Sequence, residues 1–161
     1  MAFFGASPAN VAWFVGAQSK KTIGPDKVNQ LAHAMFLKSS EGLAQHMEAH
    51  RALLAPKFAA VQRILTEQLA DTGLARWSSP RGGYFVLLEV PEGCARDVVA
   101  AASDAGIVLT PAGSTHPHMD DPTDSMIRIA PTFVTLADLE KAISGLATCV
   151  KLIGYQNQAA K

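Results

Sequence analysis

The sequence predicts an α/β chain of the α+β kind: a helical amino-terminal part with a long connecting helix, then a small antiparallel or mixed sheet covered by helices. Three observations predict it. Apolar residues recur at helical spacing from Glu41 to about Ala70. Two short β-rich runs, Tyr84 to Val90 and Met126 to Ala130, are set apart by helix and loop signals. Leu136, Leu139, Ile143, Leu146, Val150 and Ile153 then follow at intervals of three and four, one apolar face of a closing helix.

The elements are justified in order. Ala2-Phe3-Phe4-Gly5 reads as the end of a strand, and Ser7-Pro8 supplies an N-cap with proline at the first helical position, opening a short helix to about Gln18. Gly24-Pro25 repeats the start signal for a second helix whose Val28, Leu31 and Met35 share a face, until Ser39-Ser40 breaks the pattern. The long helix carries Leu43, Met47, His50, Leu54, Phe58, Val61 and Leu65 on one stripe. Pro56 lies inside it and is expected to bend or break it as a hinge or junction, because proline lacks the N–H and costs about 3 kcal/mol in a helix interior. Gly73 ends this stretch and marks the expected boundary between domains 1–72 and 73–161.

Beyond it, Tyr84 to Val90 is a strand bounded by Gly82-Gly83 and Pro91, and Ala95 to Ala105 is a helix stopped by Gly106. Ile107 to Thr110 is expected as a short strand, Pro111 to Ser125 as a loop and Met126 to Ala130 as the third strand. Thr135 caps the last helix with Asp138 in its first turn, and Val134 and Leu139 are placed for a hydrophobic staple. The polar tail after Tyr155 is expected to fray.

Composition narrows the function. At 161 residues, 48% hydrophobic and 17% charged, the chain can bury a real core. Fourteen basic and fourteen acidic residues cancel, so the basic excess that phosphate-backbone binding relies on is missing, and no nucleic-acid partner is expected. Cys94 and Cys149 have neither zinc-site spacing nor the density of a disulfide framework, and read as reduced thiols. The apolar start lacks the basic region of a signal peptide, and no run approaches the roughly 20 residues of a membrane span, so a cytoplasmic protein without a membrane partner is expected.

Among candidate functional residues, Arg128 alternates with apolar neighbours in Met126-Ile127-Arg128-Ile129-Ala130-Pro131. A short strand of this kind holds a planar, permanently charged fork whose paired N–H donors match a carboxylate's two oxygens. A lone strand arginine is more often a surface or ion-pair residue. Gly82 and Gly83 could let backbone pass close to a substrate or simply relieve crowding at a strand entrance. Arg81 could meet a side-chain carboxylate or only solvate a turn. His46 and His50 share a helical face, and His116-Pro117-His118 with Asp120 and Asp121 adds potential metal ligands. The zincin pattern fails, because Glu48 lies two residues after His46 rather than directly after it, and no metal site is expected. No nucleophile elbow or phosphate loop is present, and the lysines, Lys57 among them, read as solvated helix-surface residues.

The run Pro80-Arg81-Gly82-Gly83-Tyr84-Phe85-Val86-Leu87-Leu88 and the run Met126 to Pro131, with Ile23 to Leu31, Lys57-Phe58 and Thr110-Pro111-Ala112-Gly113, resemble fold-type I, pyridoxal-phosphate-dependent aminotransferases, most closely the aspartate aminotransferase-like class I group. The resemblance extends along essentially the whole chain. It implies that residues 73–161 are the small domain, that 1–72 are a helical remnant of the large domain with the interdomain helix, and that Arg128 grips the substrate α-carboxylate. In the family the Schiff-base lysine lies upstream of a segment resembling Met1 to Phe14. The chain is therefore expected to begin just after that lysine, with no catalytic or cofactor-binding residue of its own and the amino-terminal large domain as its missing partner.

The resemblance further implies pyridoxal phosphate in the intact enzyme but none on this chain alone, an amino acid (aspartate the leading candidate) and a 2-oxo acid as substrates, and a homodimer. His116 and His118 stand where close relatives tend to carry aromatic residues, which departs from the family's substrate side-chain pocket. The alternative is an independent small-molecule-binding or dimerisation module without catalytic activity.

Overall fold

The structure is a computed structural model that describes residues 4–160. Its contacts divide the chain into two compact units, Met1–Arg51 and Ala52–Lys161.

The first unit is helical. Helix α1 spans Pro8–Gln18, with the Ser7 hydroxyl accepting from the Asn10 amide and Pro8 in the first turn, as its sequence dictates. Helix α2 spans Lys27–Leu37, and its cap is Asp26, whose carboxylate accepts from the Asn29 amide at 3.0 Å. The start signal thus acts two residues later than Gly24-Pro25, because a carboxylate can satisfy an orphan amide and a glycine cannot. Val28, Leu31 and Met35 do share a face of α2, and that face is exposed. The expected strand end at Ala2–Gly5 lies partly outside the described residues, and Phe4 and Gly5 are in no strand.

Helix α3, Ser40–Leu69, runs unbroken through Pro56 for 30 residues, so the expected break does not occur. One missing N–H is tolerated where the turns on either side are long enough to propagate. Its opening is fixed locally: the Ser39 hydroxyl accepts from the Gly42 amide, and a Cβ at Gly42 would collide with the Leu37 carbonyl.

In the second unit the carboxy-terminal half of α3 buries Val61, Ile64, Leu65 and Leu69, and a left-handed Gly73 (φ 68°) then turns the chain. The sheet has three strands, β1 (Arg76–Trp77), β2 (Val86–Glu89) and β3 (Met126–Ile129), in that spatial order and antiparallel throughout. Strand β1 carries no sequence signal, since two residues are too few to display alternation. Register pairs Trp77 with Leu88, Leu88 with Ile127, and Leu87 with Arg128. Helix α4 (Ala95–Asp104) and helix α5 (Leu136–Ala159) complete the unit. Val86, Leu88, Ile127 and Ile129 from the sheet, Val98 and Ala102 from α4, and Leu139, Ile143, Leu146 and Val150 from α5 join the α3 residues in one core.

Two expectations need correction. Ile107 to Thr110 is not a strand; it is tied to β3 by a side chain, the Thr110 hydroxyl donating to the Arg128 carbonyl at 3.0 Å, rather than by a backbone ladder. The tail does not fray at Tyr155, because Asn157 donates to the Glu92 carbonyl and to Cys94 Sγ and keeps α5 helical to Ala159. The second half of α3 packs with the α+β residues, whose core it helps to form. Cys94 and Cys149 are both buried and free, and burial pushes the Cys149 thiol above its ordinary value.

Candidate functional site

The site is built on β3. Ile127 and Ile129 point into the core, so strand alternation turns Arg128 to the opposite face of the sheet, beside Leu87 of β2. There the guanidinium carbon lies 4.6 Å from the centroid of the Phe85 ring, in cation–π contact. Among the described residues the ion pairs are Arg51–Glu48, Arg63–Glu67, Arg63–Glu140 and Arg96–Asp124, and none involves Arg128. Its Nε is buried and has no hydrogen-bond partner. A charged donor withdrawn from water and left unpaired is costly, and the face of Phe85 is the contact this guanidinium does make.

Three neighbours fix the strand that carries it. Ahead of β3, Asp121 is buried, and its two oxygens accept from the Thr123 amide and hydroxyl and from the Ser125 and Met126 amides at 2.9–3.1 Å. Burial alone would raise this carboxyl's pKa, but the Met126 and Ser125 amides and the Thr123 hydroxyl and amide outweigh it and hold it at about 2. Asp121 therefore organises the loop ahead of β3. Beside β3 stands Thr110, already described. After β3, Lys57 of α3 donates to the Thr132 and Val134 carbonyls at 2.7 and 2.6 Å. Lys57 thus lies on the helix surface, bonded to protein rather than solvated.

The remaining candidates scatter. Gly82 and Gly83 are exposed, with open space where a Cβ would stand; Gly83 alone has a left-handed backbone (φ 88°), so only it is required to be glycine by conformation. Arg81 is exposed. The Pro111-Ala112-Gly113 turn is tight: Gly113 is buried at φ 84°, and a Cβ there would strike the Met119 carbonyl. This holds the loop containing His116, whose Nδ1 lies 2.9 Å from the Thr115 hydroxyl, and His118, which is itself left-handed. His46 and His50 stack edge to face at 4.6 Å in the first unit. Among the described residues no three His, Cys, Asp or Glu side chains converge as metal ligands. A cavity of about 530 Å³ lies between Gly106–Thr110, the end of β3 and α5, lined chiefly by apolar side chains with Arg128, Thr110 and Asp138 at its polar points.

Sequence reasoning missed Asp121 and Lys57 as supports. The first had a signal, since an aspartate followed at two and four residues by Thr123 and Ser125 suits a side-chain-closed turn. Lys57 had none, because its acceptors lie 75 and 77 residues away.

Comparison with known proteins gives the arrangement its context. The family model for aspartate amino-transferase matches residues 1–161. A provisionally named aminotransferase of Mycolicibacterium smegmatis is 51% identical over 152 residues, covering 94% of this chain and 36% of its own length. The crystal structure of an aspartate transaminase from Corynebacterium glutamicum superposes with a TM-score of 0.84 at 44% identity, over 94% of this chain and 36% of that one. That of α-aminoadipate aminotransferase from Thermus thermophilus, solved with N-(5'-phosphopyridoxyl)-L-leucine, shares the fold with a TM-score of 0.74 at 21% identity, over 92% and 37%. The chain spans 36% and 37% of the length of the curated relatives it matches. Among the described residues no helix is long and apolar enough to cross a membrane. Since the family model matches along the entire sequence and the fold agrees with that of solved members, the chain belongs to the aspartate aminotransferase family.

Proposed function

We propose that this chain is the carboxylate-gripping, C-terminal portion of a cytoplasmic, pyridoxal-phosphate-dependent aminotransferase that moves an amino group between an amino acid, aspartate first among the candidates, and a 2-oxo acid. The observation that carries the reading is Arg128: a guanidinium free of any ion pair, stacked on Phe85, with its Nε buried and unmatched. A substrate carboxylate supplies the missing acceptor in the bidentate geometry that arginine favours. Both substrates of amino transfer carry that carboxylate beside the reacting carbon, so one grip serves the donor and the acceptor. Fixing it orients the amino or oxo carbon for reaction and contributes through positioning rather than through chemistry of its own.

Pyridoxal phosphate, bound in the intact enzyme, supplies the electron sink for amino transfer. It needs a lysine amine and separate holders for ring and phosphate. The residues around Arg128 do not fit that need: Lys57, whose amine lies at the turn after β3, is committed to two carbonyls. This chain is suited to the substrate and not to the cofactor, whose holders belong to a large domain outside it. A homodimer is part of the same proposal, supported by exposed apolar side chains such as Trp13, Ile23 and Phe36 in the first unit.

The test is Arg128→Lys in the intact enzyme. Lysine keeps the charge and loses the paired donors, so the amino-acid KM rises by about tenfold to a hundredfold, with 2-oxo-acid KM rising in parallel. Unchanged KM for both substrates defeats the reading.

A further inference from the structure

Lys57 is unusual in what it lacks. No carboxylate pairs with it among the described residues; instead its ammonium donates to two carbonyls of one short turn, Thr132 and Val134. Among the described residues neither carbonyl accepts a backbone amide, so the ammonium is the partner that satisfies them. The turn begins directly after β3 and ends at Thr135, the cap of α5, whose hydroxyl accepts from the Asp138 amide. An ammonium is not favoured beside a helix N-terminus, where the dipole is itself positive, so the macrodipole does not account for its placement. Two charge-assisted bonds at 2.7 and 2.6 Å do.

The mechanical consequence reaches Arg128. From Arg128 to Thr132 is four residues, and Pro131 between them is buried and fixed in φ. On the other side Asp121 holds the start of β3 through the Ser125 and Met126 amides. The strand carrying the guanidinium is therefore pinned at both ends, by a carboxylate before it and an ammonium after it. On the reading that Arg128 grips a substrate carboxylate, we propose that Lys57 is a positioning residue for that grip: it anchors the carboxy-terminal end of β3 to α3 and so fixes the height of Arg128 above Phe85. Its effect on catalysis passes through Arg128 alone.

The experiment is a double-mutant cycle in the intact enzyme, with KM and kcat measured for the amino-acid substrate. Lys57→Met removes the donors and keeps the aliphatic stem. It is expected to raise KM about tenfold while changing kcat less. Lys57→Arg keeps donors within reach of the same carbonyls and is expected to restore KM to within about twofold of the parent. In the Arg128→Lys background, Lys57→Met is expected to add nothing further to KM, because residues that act as a unit are not additive.

A lowered melting temperature with unchanged KM, or KM effects that multiply in the double variant, overturns the proposal. If Lys57→Met does not fold, Lys57→Leu, which likewise removes the donors, is read in the same cycle, and unchanged KM there overturns it too. The Arg128→Lys arm stands alone: if that variant keeps the parent KM, the grip itself is refuted, whereas a raised KM there with a silent Lys57 refutes only the positioning role.

Discussion

The carboxylate of Asp121 and the Nε of Arg128 are buried polar groups treated in opposite ways within eight residues of one another. The carboxylate of Asp121 is fully answered by four N–H and O–H donors, whereas the Nε of Arg128 has no acceptor. The first contrast has a thermodynamic consequence. A folded-state pKa of about 2, below the ordinary 3.8, means that Asp121 stabilises the fold above pH 4 and that this contribution is lost as pH falls from about 4 to 2. Asp121→Ala leaves buried amides without partners and is expected to cost roughly 3 kcal/mol, read by urea unfolding at pH 7. At pH 2 the variant and parent should converge; a gap that persists undiminished would show that Asp121 acts by packing rather than by charge.

At the scale of elements, what was legible in the sequence was what is decided locally. Ser7-Pro8 and Thr135 cap α1 and α5 as read, because a cap is settled within one turn. The stripe on α5 is the core face, with Leu139, Ile143, Leu146 and Val150 all buried. Leu146→Ala is therefore expected to cost about 2–5 kcal/mol and Thr135→Ala about 1 kcal/mol, by denaturant unfolding. A smaller loss at Leu146 than at Thr135 would mean that α5 is not the backbone of this core. What was illegible depends on distant partners. Strand β1 exists only because Trp77 pairs with Leu88, and residues 107–110 are held by a threonine side chain instead of a ladder. Helix α3 survives Pro56 because thirty residues propagate around one missing bond. Arg128 is legible as a candidate from its strand and the family resemblance, and Asp121 from the Thr123 and Ser125 that follow it, but the support of Arg128 by Phe85 and Lys57 is not.

For the molecule as a whole, family membership and the division of labour within the family separate two roles. On the proposed reading this chain carries the substrate grip, and the cofactor's holders belong to the large domain. The chain alone, mixed with pyridoxal phosphate and then reduced with borohydride, is expected to gain no site-specific covalent phosphopyridoxyl group by mass spectrometry. A phosphopyridoxyl adduct concentrated on a single lysine would mean that one of its lysines holds the cofactor. The two compact units, Met1–Arg51 and Ala52–Lys161, place Arg128 in the second, with a core of its own beneath the sheet. The most direct measurement is therefore a crystal structure of the intact enzyme with its amino-acid substrate bound. The account predicts two parallel hydrogen bonds of about 2.7–2.9 Å from the Arg128 guanidinium, Nε among the donors, to the substrate α-carboxylate. A carboxylate bound by other residues, with Arg128 turned into an internal ion pair, would contradict it.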